Sequence, residues 1–131
     1  MDPISKILSE AENVAVVGLS NNPTRPSYEV AQYLQRNGLH IIPVNPNEKQ
    51  VLGERAYPDL LSVPERIDIV DIFRRPEFVP EIVQQAIAKG AKVVWMQPGA
   101  ENYDAADMAE AAGIKTVVGM CMRVQHKRAH S

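Results

Sequence analysis

Five short apolar runs alternate along this chain with stretches of helical spacing. The runs are Val14 to Val17, His40 to Val44, Ile67 to Phe73, Lys92 to Met96 and Lys115 to Val118. Each is four to seven residues long, β-branched and bounded by turn residues, which is the pattern of a strand buried on both faces. Three longer stretches read as helices: about Tyr28 to Arg36, about Phe78 to Lys89 and about Tyr103 to Ala112. Gly38, Gly90 and Gly113 stand where these helices should stop. A further short helix is expected at the start, where Ile4, Ile7, Leu8 and Ala11 share a face, Asp2 is placed to cap and Pro3 opens the first turn.

Between the second and third runs, Glu48 to Glu65 reads as a loop with one short helix around Asp59 to Ser62. Pro43 has no N–H to give to a ladder, so it belongs at the end of its strand or on an unpaired side. In Ile67 to Phe73, alternation places Ile67, Ile69, Asp71 and Phe73 on one face and Asp68, Val70 and Ile72 on the other. Strands that alternate with helices through short loops predict an α/β fold: a Rossmann-like three-layer sandwich with a five-stranded parallel sheet, ordered 3-2-1-4-5.

A chain of 131 residues suits a single domain spanning 1–131, with a basic tail over about 119–131. A domain of this size buries ~68% of its unfolded surface and needs neither disulfide nor metal to fold. The net charge of −2 leaves no electrostatic footprint for nucleic acid or an anionic membrane. No apolar run approaches a membrane span, and the start M-D-P-I-S-K lacks a secretory pattern, so a cytoplasmic location is expected. One cysteine excludes an internal disulfide framework. His40, His126 and His130 show no ligand spacing, and no metal site is expected.

The chemistry concentrates after Val17. In V-A-V-V-G-L-S-N-N-P-T-R-P-S a strand meets a helix through a polar turn. Gly18 allows close approach to the backbone, Ser20, Thr24 and Ser27 carry hydroxyl donors, Arg25 is a permanent cation, and a helix N-terminus favours phosphate. The same turn also serves as a plain strand–helix connection. It matches neither G-x-G-x-x-G nor a P-loop.

In the expected sheet, ligands bind beyond the carboxyl ends of the strands, where their order reverses. That rim gathers Gly18 to Ser20, Val44 to Pro46, Phe73 to Arg75, Met96 to Gly99 and Gly119 to Cys121, without a carboxylate pair. A nicotinamide site wants an acid at the end of the second strand, where this chain has Val44-Asn45-Pro46. Arg74 and Arg75 read as a phosphate clamp or as a solvated loop, and the second reading is expected for one of them. Asp71 is expected to pair locally, Trp95 to lie in the core and Gln97 to face the rim. Cys121, near Arg123 and Lys127, is either a reactive rim thiol or an inert buried one.

Four segments together resemble a known family: V-V-G-L-S-N-N-P-T-R-P-S; I-I-P-V-N-P followed by V-L-G-E-R-A-Y-P-D-L; I-D-I-V-D-I-F-R-R-P-E; and V-V-W-M-Q-P-G-A. The ordered set is similar to the small stand-alone CoA-binding proteins and to the N-terminal CoA-binding domain of the succinyl-CoA synthetase α subunit. It covers the chain from about Ser5 to His126.

The resemblance implies coenzyme A, or an acyl-CoA or CoA disulfide, bound at the strand ends. Gly18, Ser20 and Arg25 would meet the phosphates, with Leu19 and Ser27 also in the coenzyme site. Val44, Asn45 and Pro46 would line the adenosine end, Phe73 and Arg74 would flank the ligand, and Gln97 and Cys121 would complete the site. Gly119 and Met120 stand where members often carry Asn or Asp and then Arg. The synthetase's phosphohistidine and nucleotide come from other parts of that enzyme, so this chain is expected to bind CoA without making thioesters unaided. Two alternatives stand beside this: a CoA-linked thiol/disulfide protein using Cys121, and an NAD-binding sensor module. Domains of this kind often pair, so a homodimer is compatible with the reading.

Overall fold

The computed structural model describes residues 1–131, and the five apolar runs form one parallel sheet in it. The elements run α1 (Pro3–Glu10), β1 (Asn13–Val17), α2 (Pro26–Arg36), β2 (His40–Val44), β3 (Gln50–Val51), β4 (Glu54–Arg55), β5 (Ile69–Ile72), α3 (Val79–Lys89), β6 (Val93–Met96), α4 (Tyr103–Ala111), β7 (Lys115–Val118) and α5 (Met122–Ala129). A 3₁₀ turn over Pro76–Phe78 leads into α3. No helix is long and apolar enough to cross a membrane.

The sheet order is β2-β1-β5-β6-β7. Counted along the five predicted strands this is 2-1-3-4-5, which corrects the expected 3-2-1-4-5: the third strand lies inside, against β1. Pro43 supplies the physical reason. Its carbonyl faces away from β1 and accepts from the Tyr57 N–H at 3.0 Å. In a parallel strand N and C=O of one residue point to the same side, so the missing N–H also faces outward. That side of β2 cannot complete a ladder and is left as an edge. The linker covers its carboxyl end through Tyr57, whose carbonyl accepts from the Asn45 N–H at 2.8 Å.

The linker also differs from the expected loop. Gln50–Arg55 forms a small hairpin, β3 against β4, turned by Leu52 (φ 54°) and Gly53 (φ 78°). Positive φ at both central residues is what a two-residue hairpin requires. Asp59 to Ser62 is a turn rather than a helix, closed by the Asp59 carboxylate accepting from the Ser62 N–H at 2.8 Å.

Asp2 and Gly90 act as expected at the ends of α1 and α3, whereas the Asn102 cap and the helix formed by the tail are additions to the expected pattern. Asp2 caps α1 by accepting from the Ser5 N–H at 2.8 Å, which satisfies one of the first-turn donors that a helix leaves unpaired. Asn102 does the same for α4 through the Ala105 N–H. Gly90 ends α3 in the left-handed conformation. The basic tail folds into α5, whose buried His126 accepts from or donates to the Tyr33 hydroxyl of α2 at 2.8 Å through Nδ1.

Two cores sandwich the sheet. One joins Val70, Ile72, Val94 and Met96 to α3 and α4. The other joins Val14, Val16, Ile69 and Trp95 to α1, α2 and α5. Ile67 precedes the strand and joins the first core, not the face of Ile69. At the amino ends of the strands, Asp68 accepts from the Glu12 and Asn13 N–H groups at 2.9 and 2.8 Å. Burial alone would raise its pKa; those two donors with Arg66 and Lys92 outweigh it and hold the carboxylate low.

Candidate functional site

The sheet order reverses between β1 and β5, which puts Gly18 beside Phe73. A cleft of about 1090 Å³ opens there over the carboxyl ends of the strands. Its lining contains Gly18, Ser20, Arg25, Ser27, Val44, Asn45, Pro46, Phe73, Arg74, Gln97 and Cys121. These are the expected site residues apart from Leu19, whose side chain is buried in the core under α2.

The turn from β1 to α2 is held by its own polar atoms. Gly18 donates to the Val44 carbonyl at 2.8 Å. The Leu19 carbonyl accepts from Asn45 Nδ2 at 3.0 Å, and the Ser20 N–H donates to Ser27 Oγ at 3.2 Å, so the Leu19–Ser20 peptide is pinned at both ends. Ser20 Oγ accepts from the Asn22 N–H at 3.0 Å, and Asn45 Oδ1 from the Asn47 N–H at 2.9 Å. Glu48 ties the turn to the linker by accepting from the Asn21 N–H at 2.8 Å and from Asn21 Nδ2 at 3.0 Å.

The remaining capacity is donor capacity. The Ser20 and Ser27 hydroxyls accept from main-chain N–H groups and have hydrogens left to give. The Leu19 N–H has no acceptor in the protein. Arg25, Arg74 and Arg75 add guanidinium groups around the same opening. Arg74 lies over the Phe78 ring, 4.4 Å from its centroid, and Arg75 at 5.5 Å, with Arg75 also 3.6 Å from Glu77. Both arginines border the cleft, and Arg75, whose side chain is 76% exposed, is the solvated one that the sequence leads one to expect.

Gln97 is 3% exposed and lines the cleft. Its Oε1 accepts from the Met122 N–H at 3.1 Å, which holds the start of α5 and leaves Nε2 with its two hydrogens. Trp95 is wholly buried, with its indole N–H donating to the Met120 carbonyl at 2.8 Å. These two contacts place Cys121, half-buried and free, at the cleft's edge as the N-cap residue of α5.

Asp71 corrects an expectation. It is fully buried between Val16 and Trp95 on the neighbouring strands, and neither carboxyl oxygen has a hydrogen-bond partner. Burial pushes its pKa well above the ordinary carboxylate value. It does not line the cleft.

Sequence reasoning missed the far wall: Pro58, Asp59 and Leu60 from the linker, and Glu81, Ile82 and Gln85 from α3. Gln85 Oε1 accepts from the Leu60 N–H at 3.0 Å and docks that turn on the helix. Two carboxylates, Asp59 and Glu81, thus border a rim that the sequence alone shows without such a pair. The linker was legible as a loop, but nothing in its residues said that it would fold back over α3.

The donor-rich turn lies at the switch point of a doubly wound α/β sheet, the place where open sheets of this class take their ligands. The CoA binding domain family model matches residues 12–127, and the chain belongs to that family. It is 37% identical over 123 residues to protein YneT of Bacillus subtilis, covering 94% of this chain and 91% of that one. It is 27% identical to the α subunit of acetate–CoA ligase (ADP-forming) II of Pyrococcus furiosus, covering 89% of this chain and 28% of that subunit. A hypothetical protein from Pyrococcus horikoshii OT3 superposes with a TM-score of 0.96 at 41% identity, over 98% of this chain and 90% of that one.

Proposed function

We propose that this protein binds coenzyme A or an acyl-CoA in the strand-end cleft, and does not make the thioester by itself. One observation carries the reading: on the β1–α2 turn the serine hydroxyls already accept from main-chain N–H groups, so what they offer a ligand is hydrogens. A diphosphate is a ligand made of acceptors, and Arg25 and Arg74 supply the charge it needs. In this reading Gly18, the Leu19 N–H, Ser20, Arg25 and Ser27 meet the phosphates. Val44, Asn45 and Pro46 border the adenosine, Phe73 and Arg74 flank the ligand, and Gln97 and Cys121 meet the pantetheine end.

The fate of Asn45 speaks against a nicotinamide dinucleotide. Its amide nitrogen donates to the Leu19 carbonyl and its oxygen already accepts from the Asn47 N–H, so at most one neutral lone pair stands where a nicotinamide site has a carboxylate for the ribose hydroxyls. Titration calorimetry with CoA, 3′-dephospho-CoA and NAD tests the assignment. CoA is expected to bind, NAD not, and Arg25→Ala to weaken CoA at least tenfold. A chain that binds NAD and leaves CoA free overturns the reading.

A further inference from the structure

At the end of the cleft assigned to pantetheine, Gln97 and Cys121 present unpaired donors beside a thiol, more than contact with a CoA thiol calls for. Gln97 is buried to within 3% of its surface, yet its Nε2 has no partner in the protein and is not sealed off from the cleft that the residue lines. The amide cannot be turned over without cost, because its Oε1 holds the Met122 N–H. Met122 directly follows Cys121, so the donor and the thiol belong to the same end of the cleft. The main-chain N–H of Cys121 has no acceptor in the protein either. A disulfide or a free thiol has little use for such donors. A carbonyl oxygen has, and above all one that becomes an oxyanion.

From these positions we infer that Cys121 accepts the acyl group of a bound acyl-CoA by thioester exchange, with Gln97 Nε2 donating to the carbonyl oxygen. The Cys121 sulfur gives its proton to solvent and attacks the carbonyl carbon. The oxygen takes the negative charge, the bond to the CoA sulfur breaks, and CoA leaves as a thiolate that is protonated by solvent. One thioester is lost and one is formed, and nothing is oxidised or reduced. The inference rests on the coenzyme A reading above, and it makes this domain a carrier of acyl groups already activated elsewhere.

The test uses the whole chain, kept reduced with a phosphine, and acetyl-CoA in large excess over CoA. Intact mass is expected to rise by one acetyl group, and hydroxylamine to remove it. Cys121→Ala and Cys121→Ser, checked for an unchanged melt, are expected to give no such hydroxylamine-labile adduct. Gln97→Glu keeps an oxygen for the Met122 N–H and removes the donor. At saturating acetyl-CoA it is expected to slow labelling by roughly 10²-fold, the usual effect of deleting one oxyanion donor. If acetyl-CoA raises the melting temperature but leaves the mass unchanged, the exchange is overturned while the binding reading stands. Label that survives in Cys121→Ala, or wild-type rates in Gln97→Glu, overturns it as well. If acetyl-CoA and CoA both leave the melt unchanged, the binding reading fails first.

Discussion

The main-chain oxygen of Phe73 occupies the space that a Cβ on residue 18 would need. Gly18 also has φ +88°, a conformation that side chains disfavour. The two facts have one origin, since β1 and β5 are neighbours and their carboxyl ends meet at the floor of the cleft. Gly18→Ala is expected to destabilise the fold by ~3 kcal/mol, combining backbone strain with a clash against main chain. Gly38 has a similar φ of +90° but nothing within 4 Å of its missing Cβ. Gly38→Ala should therefore show the strain alone, ~1 kcal/mol. Thermal melts of both variants measure the difference, and equal losses would remove the close approach from the account.

Ser27 links the fold of the turn to its use. Its oxygen accepts from the Ser20 N–H, and its hydrogen is free for a ligand. Ser27→Ala deletes both, and affinity for CoA is expected to fall about tenfold, or ~1.4 kcal/mol. Pantetheine, which has no phosphates, is expected to bind the variant and the parent alike. Calorimetry with both ligands tells loss of a phosphate contact from general loosening of the cleft.

Much of this is legible in the sequence, and the exceptions have physical causes. Strand and helix signals are local: apolar runs, Asp2 and Pro3 at the first helix start, glycines after helix ends. The rim residues follow from knowing which end of each strand faces the ligand, so an error in sheet order does not scatter them. Sheet order is a matter of non-local pairing, and its one local clue, Pro43, fits a strand end as well as the edge strand that it marks. The tail looks merely basic because its helical face is carried by His126 and Met122 rather than by aliphatic residues. Asp71 misleads because an acid in an apolar strand suggests a partner, and only the packed structure shows that it has none.

Asp71 makes stability depend on pH in an unusual direction. Burial raises its pKa in the folded chain above the ordinary 3.8. Between those two values the folded chain holds a proton that the unfolded chain has lost, so stability falls as pH rises from about 4. Asp71→Asn keeps the shape and removes the titration. It is expected to melt higher than the parent, by a margin that grows with pH. A margin independent of pH would mean that the carboxyl ionises in place.

His126 pulls the other way. Burial lowers its pKa below 6.5, and the neighbouring His130, stacked at 4.1 Å between ring centroids, adds to the effect. Below pH 6.5 the unfolded chain therefore takes up a proton that the folded chain resists, and stability falls as pH falls. Lys127, whose ammonium lies 5.4 Å from the Tyr33 ring centre, adds positive charge nearby. Each residue contributes at most about 1.4 kcal/mol per pH unit, with opposite sign to the other. Where their windows overlap, the parent's melting temperature should change little with pH. Asp71→Asn should then expose a drop on acidification, and His126→Gln, which can still hydrogen-bond the Tyr33 hydroxyl, a drop on alkalinisation. Melts of the two variants and their double between about pH 5 and 8 check this, and parallel profiles in all three would show that neither group titrates on unfolding.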